Sequence, residues 1–519
     1  MLSLPDIFSE EENPSDSKIG DREMGTVAGE ETKLLLIGID AGDVDFIKAS
    51  LDKLPRLRQV FAEGSFLKLR STADILTSSV WPTFSTGTLP GEHGAYYPMQ
   101  WDPVTMNLRR VAADWIYYEP FWYELARQGT RIAVLDVPFS LASRLEHGVE
   151  ILNWGSQECL DSFGSNRPEL GREVLRRFGK HPMGNEIPVE EPTARLELIR
   201  KNLVAGARRK GELARWLMET TDWNLFITVF AECHRGGHLF WPEPANDRIP
   251  ANALTEVYEA VDQAVGHILD GADMEKVTAI VFSVHGMRQN FTQEHFVLPM
   301  MERINAAFER EGTFVATTPE TRRNPMRLLR EAVPGQLQYM VAKAVPSGVR
   351  DWVVKRTFCG GLDSQTPGFA LPASGEGYLR YNLIGREAEG ALELDSERYR
   401  RYRDWLRECL FSFKDAATDT PIVKDIVAPS ALYPGPRDGY LPDLVVLWND
   451  LLPASEIYSG TLGRISGRLT TGRTSDHQPD GFAIVAGNKR AIENAPALEH
   501  ITDFAKLARN VLKGGCDLS

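Results

Sequence analysis

The stretch Lys33-Leu-Leu-Leu-Ile-Gly-Ile-Asp40 is an unbroken apolar run that ends in an aspartate and leads into Ala41-Gly42. Such a run is typical of a parallel strand that is buried on both faces. Runs of the same composition recur at 131–137, 224–230, 277–283, 443–448 and 481–486. Helical patterns lie between them, for example over 194–218 and 254–269. This alternation predicts an α/β fold in which a mostly parallel sheet carries helices on both faces.

In a sheet of this kind ligands bind beyond the carboxyl ends of the strands, and several candidate metal ligands fall there. Asp40 ends the first run, His234 and His238 follow 224–230, His285 follows 277–283, and His477 precedes 481–486. Each is weak evidence alone, because an isolated histidine is more often a hydrogen-bonded structural residue. Together, imidazoles and a carboxylate on one rim are the ligands that suit zinc or a similar divalent ion.

A hydroxyl-rich segment over 77–94 predicts a loop, then a helix from about Pro82, then a stop at glycine and proline. Thr77 lies just before the helix start, where free N–H groups and the helix dipole stabilise negative charge. An alkoxide, or the phosphoryl group that it attacks, would be stabilised there. The alternative from this segment alone is an ordinary N-cap hydroxyl.

Composition narrows the class of protein and its partners. The chain has 519 residues, of which 43% are hydrophobic and 25% charged, so it is a folded globular protein. Its formal net charge of −14 argues against a nucleic-acid polymer as partner. Five cysteines without a CxxC pair argue against a disulfide framework and for a reducing compartment. Because we find neither an apolar run that could span a bilayer nor a secretory signal, the expected location is the cytoplasm; the oligomeric state is left open.

Composition also divides the chain into four segments. Residues 1–31 are acidic and polar, which predicts a disordered tail. Residues 32–310 and 376–519 are interpreted as the first and second parts of one core. Between them, 311–375 interrupts the alternation with arginines and lysines among prolines and glycines, which predicts an inserted cap. The basic residues of this cap fit either a solvated helical face or an anion-binding lid.

Several short pieces then occur in a fixed order along the chain. They are Gly38-Ile-Asp40, Thr77 with Thr86-Gly87, Pro90-Gly-Glu-His-Gly94, 232–241, Ser283-Val-His-Gly-Met287, 380–387, 441–444, and His477 with Gly481. In this combination the chain resembles the type I phosphodiesterase/nucleotide pyrophosphatase branch of the alkaline phosphatase superfamily. The resemblance implies an alkaline-phosphatase-like α/β core, two divalent metals that are usually zinc, and a threonine or serine nucleophile that forms a covalent phospho-enzyme.

The resemblance also implies roles for individual residues. Thr77 matches the nucleophile, and His238 and His477 match ligands of a first metal, which His234 would complete. Asp40 and His285, with Thr77, match the ligands of a second metal. Two positions depart from the family's pattern, because His234 and Val284 each stand where the family has an aspartate. Imidazole can replace a carboxylate on zinc, whereas a valine side chain has no donor atom.

These departures leave the number of ions open. Two divalent ions bring a charge of about +4, and Asp40 with an ionised Thr77 brings about −2, so the site would keep a net charge of about +2. The two further aspartates of the family would bring this charge closer to neutral. Either the second ion is weakly held, or the substrate supplies negative charge, or a nearby carboxylate fills in. Asp43, Asp74 and Asp476 are the candidates for that carboxylate.

The sequence thus predicts a metal-dependent hydrolase that cleaves a phosphodiester or pyrophosphate bond in a small phosphorylated substrate. Thr77 would be the nucleophile, and one or two divalent ions would assist, zinc in the first place and manganese in the second. Arg386 and Arg473 are candidate substrate contacts from charge alone. The alternatives are a phosphomonoesterase, sulfatase or phosphotransferase on the same fold, or a catalytically inactive binding homologue. The leaving group is not identified.

Overall fold

A computed structural model describes residues 32–157, 159–184, 191–242, 248–310, 347–359, 362, 365–489 and 497–512. The predicted acidic tail, 1–31, and most of the predicted cap, 311–346, lie outside the described residues. From the cap, the structure describes a helix over Ser347–Cys359, whose Val354 and Phe358 pack against a buried cluster that contains Trp101. The division into four segments therefore stays a prediction.

The strands within the described residues build several sheets, of which three position the candidate site. In chain order they are β1 (Lys33–Ile39), β2 (Ser65–Leu69), β3 (Met99–Asp102), β4 (Asn107–Arg110), β5 (Ile132–Leu135), β6 (Val149–Leu152), β7 (Gly164–Ser165), β8 (Leu225–Phe230), β9 (Val277–Ser283), β10 (Gly286–Gln289), β11 (Gly368–Leu371), β12 (Gly377–Tyr381), β13 (Lys414–Asp415), β14 (Val423–Val427), β15 (Leu444–Trp448), β16 (Glu456–Ser459), β17 (Gly463–Ser466), β18 (Ser475–Gln478) and β19 (Gly481–Gly487).

The largest sheet confirms the predicted, mostly parallel architecture. Its described strands follow the order β2-β19-β9-β1-β8-β5-β6-β7. The centre is parallel, since β1 pairs with β8 and β9, and β5 pairs with β8 and β6. At the margins β19, β2 and β7 pair antiparallel. The apolar run that begins at Lys33 thus lies at the middle of the sheet, as its unbroken hydrophobicity indicates.

Helices cover both faces of this sheet. Leu35 and Ile37 contribute to the cluster under α7 (Thr193–Thr220) and α9 (Ala253–Leu269). Leu34 and Leu36 contribute to the cluster on the opposite face, under α3 (Val80–Thr86), α5 (Phe121–Arg127) and α14 (Asp503–Leu512). The described helices are α1 (Val44–Ala49), α2 (Pro55–Glu63), α3 (Val80–Thr86), α4 (Pro90–His93), α5 (Phe121–Arg127), α6 (Pro168–Phe178), α7 (Thr193–Thr220), α8 (Glu232–Phe240), α9 (Ala253–Leu269), α10 (Val297–Glu309), α11 (Ser347–Cys359), α12 (Glu397–Phe411), α13 (Pro429–Leu432) and α14 (Asp503–Leu512).

Two expectations from composition concern membranes and disulfides. Among the described helices, none is long and apolar enough to cross a membrane. The four cysteines in the described ranges, Cys159, Cys233, Cys359 and Cys409, are all free, which agrees with the predicted lack of a disulfide framework.

One predicted strand belongs to a different sheet from the one expected. The run at 443–448 forms β15, which lies in a four-stranded antiparallel sheet of order β11-β12-β15-β14. This sheet has its own hydrophobic core with α10 and α12, in which Val446 and Trp448 are buried. Composition was misleading because burial on both faces gives the same apolar run in either kind of sheet.

The direction of β19 decides which edge of the large sheet its first residue reaches. Phe482 pairs with Ser283, so β19 begins beside the carboxyl end of β9 and runs antiparallel to it. A parallel strand would have placed the residues before Gly481 at the opposite edge. The antiparallel direction therefore brings the segment that contains His477 to the carboxyl edge of the central strands.

Candidate active site

Asp40, His234 and His285 come from the ends of three neighbouring strands. β9, β1 and β8 are adjacent in the sheet, and their last residues are aligned, since Gly38 pairs with both Val229 and Phe282. Asp40 directly follows β1, His285 lies two residues after β9, and His234 lies in the first turn of α8, which begins just after β8. The strand register therefore brings these three side chains to one edge.

His238 and His477 reach the same edge by separate routes. His238 lies one turn after His234 on α8, which places both rings on one face of that helix. His477 lies on β18, which pairs with β10, and β10 begins directly after His285. The five residues that the sequence singled out as ligands are all buried.

Three of the imidazoles face a common point. The Nε2 atom of His234 lies 3.0 Å from Nε2 of His238 and 3.0 Å from Nε2 of His477. One ring nitrogen carries either a single proton or a single lone pair, so it cannot form two well-directed hydrogen bonds, and hydrogen bonding alone does not explain the arrangement. Tetrahedral zinc with Zn–N bonds of 2.0–2.1 Å separates its ligand atoms by about 3.3 Å. These residues, the three-histidine group, fit a zinc-like ion in both spacing and chemistry.

Burial also keeps these rings in the form that binds metal. Desolvation lowers the pKa of His477 to about 4, and it lowers the pKa of His238 well below the ordinary value. The positive charge of nearby Arg473 lowers the pKa of both rings further. Both rings are therefore neutral at pH 7, and each keeps a lone pair for a ligand bond.

A second group contains Asp40, His234 and His285 and shares one ring with the first. The Oδ2 atom of Asp40 lies 2.7 Å from Nδ1 of His234, and its Oδ1 atom lies 3.7 Å from Nε2 of His285. Burial alone would raise the pKa of Asp40, but the charge of His234 and the bond to it bring the pKa down to about 2. Asp40 is therefore a carboxylate at every pH at which a metal would bind.

Thr77 lies one helical turn from the residue that touches Asp40. It begins a short 3₁₀ turn, Thr77–Ser79, that continues into α3. Trp81, four residues on, donates its indole N–H to Oδ1 of Asp40 at 2.8 Å. The Thr77 hydroxyl is buried, and it lies 3.3 Å from the carbonyl oxygen of Ala73 and 2.5 Å from Oε1 of Glu376. The side chain of Glu376 is thus the closest hydrogen-bond partner of the Thr77 hydroxyl.

Glu376 is the site residue that the sequence analysis missed. It follows Gly375 in the turn between β11 and β12, so it reaches Thr77 from the four-stranded sheet. Burial, with the charge of Asp476 added, raises the pKa of Glu376 to about 8. Gly375 has a φ of +111°, which favours glycine and fixes the course of the turn. A carboxylate between two glycines at a strand turn is the only signal that the sequence offered.

The match with a known family covers most of the chain. The type I phosphodiesterase/nucleotide pyrophosphatase family matches residues 34–349. The chain belongs to this family. Comparison with the curated proteins gives no significant match. Family membership indicates a hydrolase that acts on phosphoesters.

Solved structures that resemble the chain are distant in sequence. Phosphonoacetate hydrolase from Sinorhizobium meliloti 1021 with phosphonoacetate is 12% identical, with a TM-score of 0.48 over 93% of this chain and 96% of that one. The same enzyme with phosphonoformate is 13% identical, with a TM-score of 0.47 and the same coverage. An inactive murine ectonucleotide pyrophosphatase/phosphodiesterase 5 with AMP is 11% identical, with a TM-score of 0.45 over 93% of this chain and 95% of that one.

The side chain of Val284 has no atom that could bind a metal. The Val284 side chain is fully buried in the apolar cluster on one face of the large sheet. The carboxylates considered as substitutes have other partners. Asp43 caps α1 and accepts from Gln478, and Asp74 accepts from Tyr433. Asp476 accepts from the backbone N–H of His477 and lies 3.6 Å from Nδ1 of the same residue. In the part of the chain that the structure describes, none of the three joins either ligand group.

The two arginines that were candidate substrate contacts have different surroundings. Arg386 gives its two terminal nitrogens to Asp443 at 2.6 and 2.7 Å and its Nε to Glu387 at 3.0 Å. This network holds Arg386 beside the four-stranded sheet, with its charge already balanced by Asp443 and Glu387. Arg473 lies close enough to the three-histidine group to lower the pKa of two of its rings, which is where an anion contact is needed.

Proposed function

We propose that the chain hydrolyses a phosphodiester or pyrophosphate bond of a small substrate, with Thr77 as the nucleophile. The observation that carries this proposal is a buried threonine hydroxyl 2.5 Å from a buried carboxylate, one helical turn from a residue that contacts Asp40. A threonine that only packed or capped a helix would not need that carboxylate.

The reaction would run in two displacements at phosphorus. In the first, the Thr77 oxygen attacks phosphorus, its proton passes to Glu376, and the bond from phosphorus to the leaving oxygen breaks. The leaving group departs as an alcohol or a phosphate after it takes up a proton. In the second, water attacks the Thr77 phosphoester, which releases the other product and restores the hydroxyl. The sum is the addition of one water across one P–O bond.

The three-histidine group is where a divalent ion would bind, and zinc suits its three neutral nitrogen donors. Such an ion would polarise a phosphoryl oxygen and stabilise the charge that develops on it. Arg473 would contact the same anionic group, because its charge reaches this cluster. Glu376 would hold the Thr77 hydroxyl, which lies 2.5 Å from its Oε1 atom. Because burial raises its pKa to about 8, Glu376 would take the proton in its ionised form, whose share at neutral pH is minor and grows as the pH rises towards 8.

The test is an assay of the zinc-loaded protein on a model phosphodiester, a phosphomonoester and a sulfate ester. We expect turnover of the diester, a loss of at least about 1000-fold in Thr77→Ala, and partial activity in Thr77→Ser. Thr86→Ala is the matched control, since that hydroxyl lies in the same helical stretch but bonds only the carbonyl of Pro82 and Thr88.

Three results would contradict the proposal. Undiminished turnover in Thr77→Ala would remove the nucleophile. Preferential turnover of the monoester or the sulfate ester would change the bond that is cleaved. No turnover of any ester by a folded, metal-loaded chain would favour an inactive binding homologue.

A further inference from the structure

We infer that this chain binds one divalent ion, on His234, His238 and His477, and that Asp40 is a positioning residue for His234, not a ligand of a second ion. The inference rests on the proposed function, because it concerns the same site. It departs from the arrangement that the family resemblance implies, in which Asp40 and His285 hold a second metal.

The orientation of the His234 ring is the first observation. Its Nε2 atom points to the other two rings of the three-histidine group, and its Nδ1 atom lies 2.7 Å from Oδ2 of Asp40. A neutral imidazole has one N–H and one lone pair. With the lone pair on Nε2 for the ion, the proton sits on Nδ1 and is donated to the carboxylate.

The two ligand groups therefore compete for a single ring. His234 belongs to both groups, and it could serve both only if it lost its remaining proton and became an anion. Asp40 at hydrogen-bond distance stabilises that proton on Nδ1 instead. Occupation of the three-histidine group thus removes His234 from the second group.

What then remains of the second group is too small for an ion. Asp40 already accepts from the Trp81 indole through Oδ1, and His285 is the other member. Val284 has no donor atom, and Thr77 donates to Glu376. Zinc takes four ligands in closed sites and at least three from the protein in open ones. Within the described part of the chain, Asp40 and His285 are then the two side chains left for a second ion, because the Thr77 hydroxyl already donates to Glu376. Two protein ligands are fewer than a zinc site requires.

The hydrogen bond from His234 to Asp40 has a defined effect on the ion that does bind. A carboxylate that accepts from a ligand imidazole fixes the orientation of the ring and makes its free nitrogen a stronger donor. Loss of such a partner lowers metal affinity by about 10–100-fold but leaves the number of ions unchanged. Loss of a true ligand of a second ion would instead lower the number of ions.

The experiment counts zinc and measures affinity without any assay of turnover. The full chain is loaded with excess zinc, freed of unbound metal by gel filtration, and analysed by mass spectrometry for metal per chain. Affinity is measured by competition with a chromophoric chelator, and circular dichroism checks that each variant is folded.

We expect one zinc per wild-type chain, none in His238→Ala, and one in Asp40→Asn, Asp40→Ala and His285→Ala at saturation. Affinity should fall by about 10–100-fold in Asp40→Ala, and less in Asp40→Asn, whose oxygen still accepts from Nδ1. It should change little in His285→Ala. One zinc per chain in both Asp40 variants, together with the graded loss of zinc affinity, would show that Asp40 positions His234 and is not a ligand.

Two zinc ions per wild-type chain, with one lost in Asp40→Asn or His285→Ala, would overturn the inference. Equal affinity in the Asp40 variants and the wild type would overturn the positioning role. Failure of this inference is separate from failure of the proposed function: two ions with Thr77-dependent turnover would refute only the count. One ion without any turnover would refute only the reaction.

Discussion

At the scale of single residues, the contact between Thr77 and Glu376 joins positions that are 299 residues apart in the chain. Thr77 lies in the 3₁₀ turn that leads into α3, and Glu376 lies in the turn between β11 and β12 of the four-stranded sheet. That the candidate ligand histidines lie together could be predicted, because each is close in the chain to a recognisable buried strand. The role of Glu376 could not be predicted, because its position beside Thr77 depends on how the four-stranded sheet packs against the rest of the molecule. No local sequence pattern encodes that packing.

Glu376→Gln should lower kcat by about 100-fold to 10,000-fold, because the hydroxyl loses its proton acceptor while the shape of the side chain is kept. KM and the zinc content should change far less. Glu376→Asp, which keeps the carboxylate, should recover part of the rate. Steady-state kinetics on a phosphodiester measures this, and Glu389→Gln on the exposed surface is the control. An unchanged kcat in Glu376→Gln would exclude the proton-accepting role.

At the scale of elements, the short helix α4 packs closely against the backbone of the loop at 433–437, which follows α13. A Cβ atom on Gly91 would lie 1.9 Å from the carbonyl oxygen of Tyr433, and one on Gly435 would lie 2.4 Å from Gly91. Arg437 adds a backbone bond to Gly91 and side-chain bonds to the carbonyls of His93 and Tyr117. The segment that follows α3 thus packs against the loop between α13 and β15, and β15 belongs to the four-stranded sheet.

Gly91→Ala should destabilise the protein by about 1–3 kcal/mol, because its new methyl group meets backbone that cannot move aside cheaply. Gly439→Ala is the matched control: no atom lies within 4 Å of its added Cβ, so its stability should stay within about 0.5 kcal/mol of the wild type. Chemical denaturation of both variants measures this. Equal stabilities would show that the two segments are not in close contact.

At the scale of the whole molecule, the alternation of strands and helices predicted the large sheet because helices bury each central strand on both faces. The same reasoning misplaced the run at 443–448, since burial does not reveal which sheet a strand joins. The direction of β19 was also beyond the sequence, although it is what brings His477 to the carboxyl edge. The side chains predicted as ligands therefore lie together, although the predicted topology was incomplete.

The stability of the molecule should depend on pH through His93, which is buried far from water. Burial, with the charge of Arg437 added, lowers its pKa to about 3, while the unfolded chain keeps a value near 6.5. Between these values the unfolded state binds more protons, so stability falls as the pH falls below about 6.5. From pH 7 to pH 5.5 this one residue contributes a loss of about 1 kcal/mol.

The comparison of wild type with His93→Gln isolates this contribution, because other titrating groups are common to both. The variant should be less stable at pH 7, and the difference between the two should shrink by about 1 kcal/mol at pH 5.5. Urea titration at the two pH values measures it. A difference that stays constant with pH would show that His93 is not held neutral by the fold.

The most direct test of the account is to trap the covalent intermediate on Thr77. The zinc-loaded chain is mixed with a phosphodiester, quenched in acid within the first turnover, digested, and mapped by mass spectrometry. We expect the peptide containing Thr77 to gain the mass of the transferred phosphoryl group, and Thr77→Ala to show no such gain. Rapid turnover with no modified peptide, or with the phosphoryl group on another residue, would contradict it.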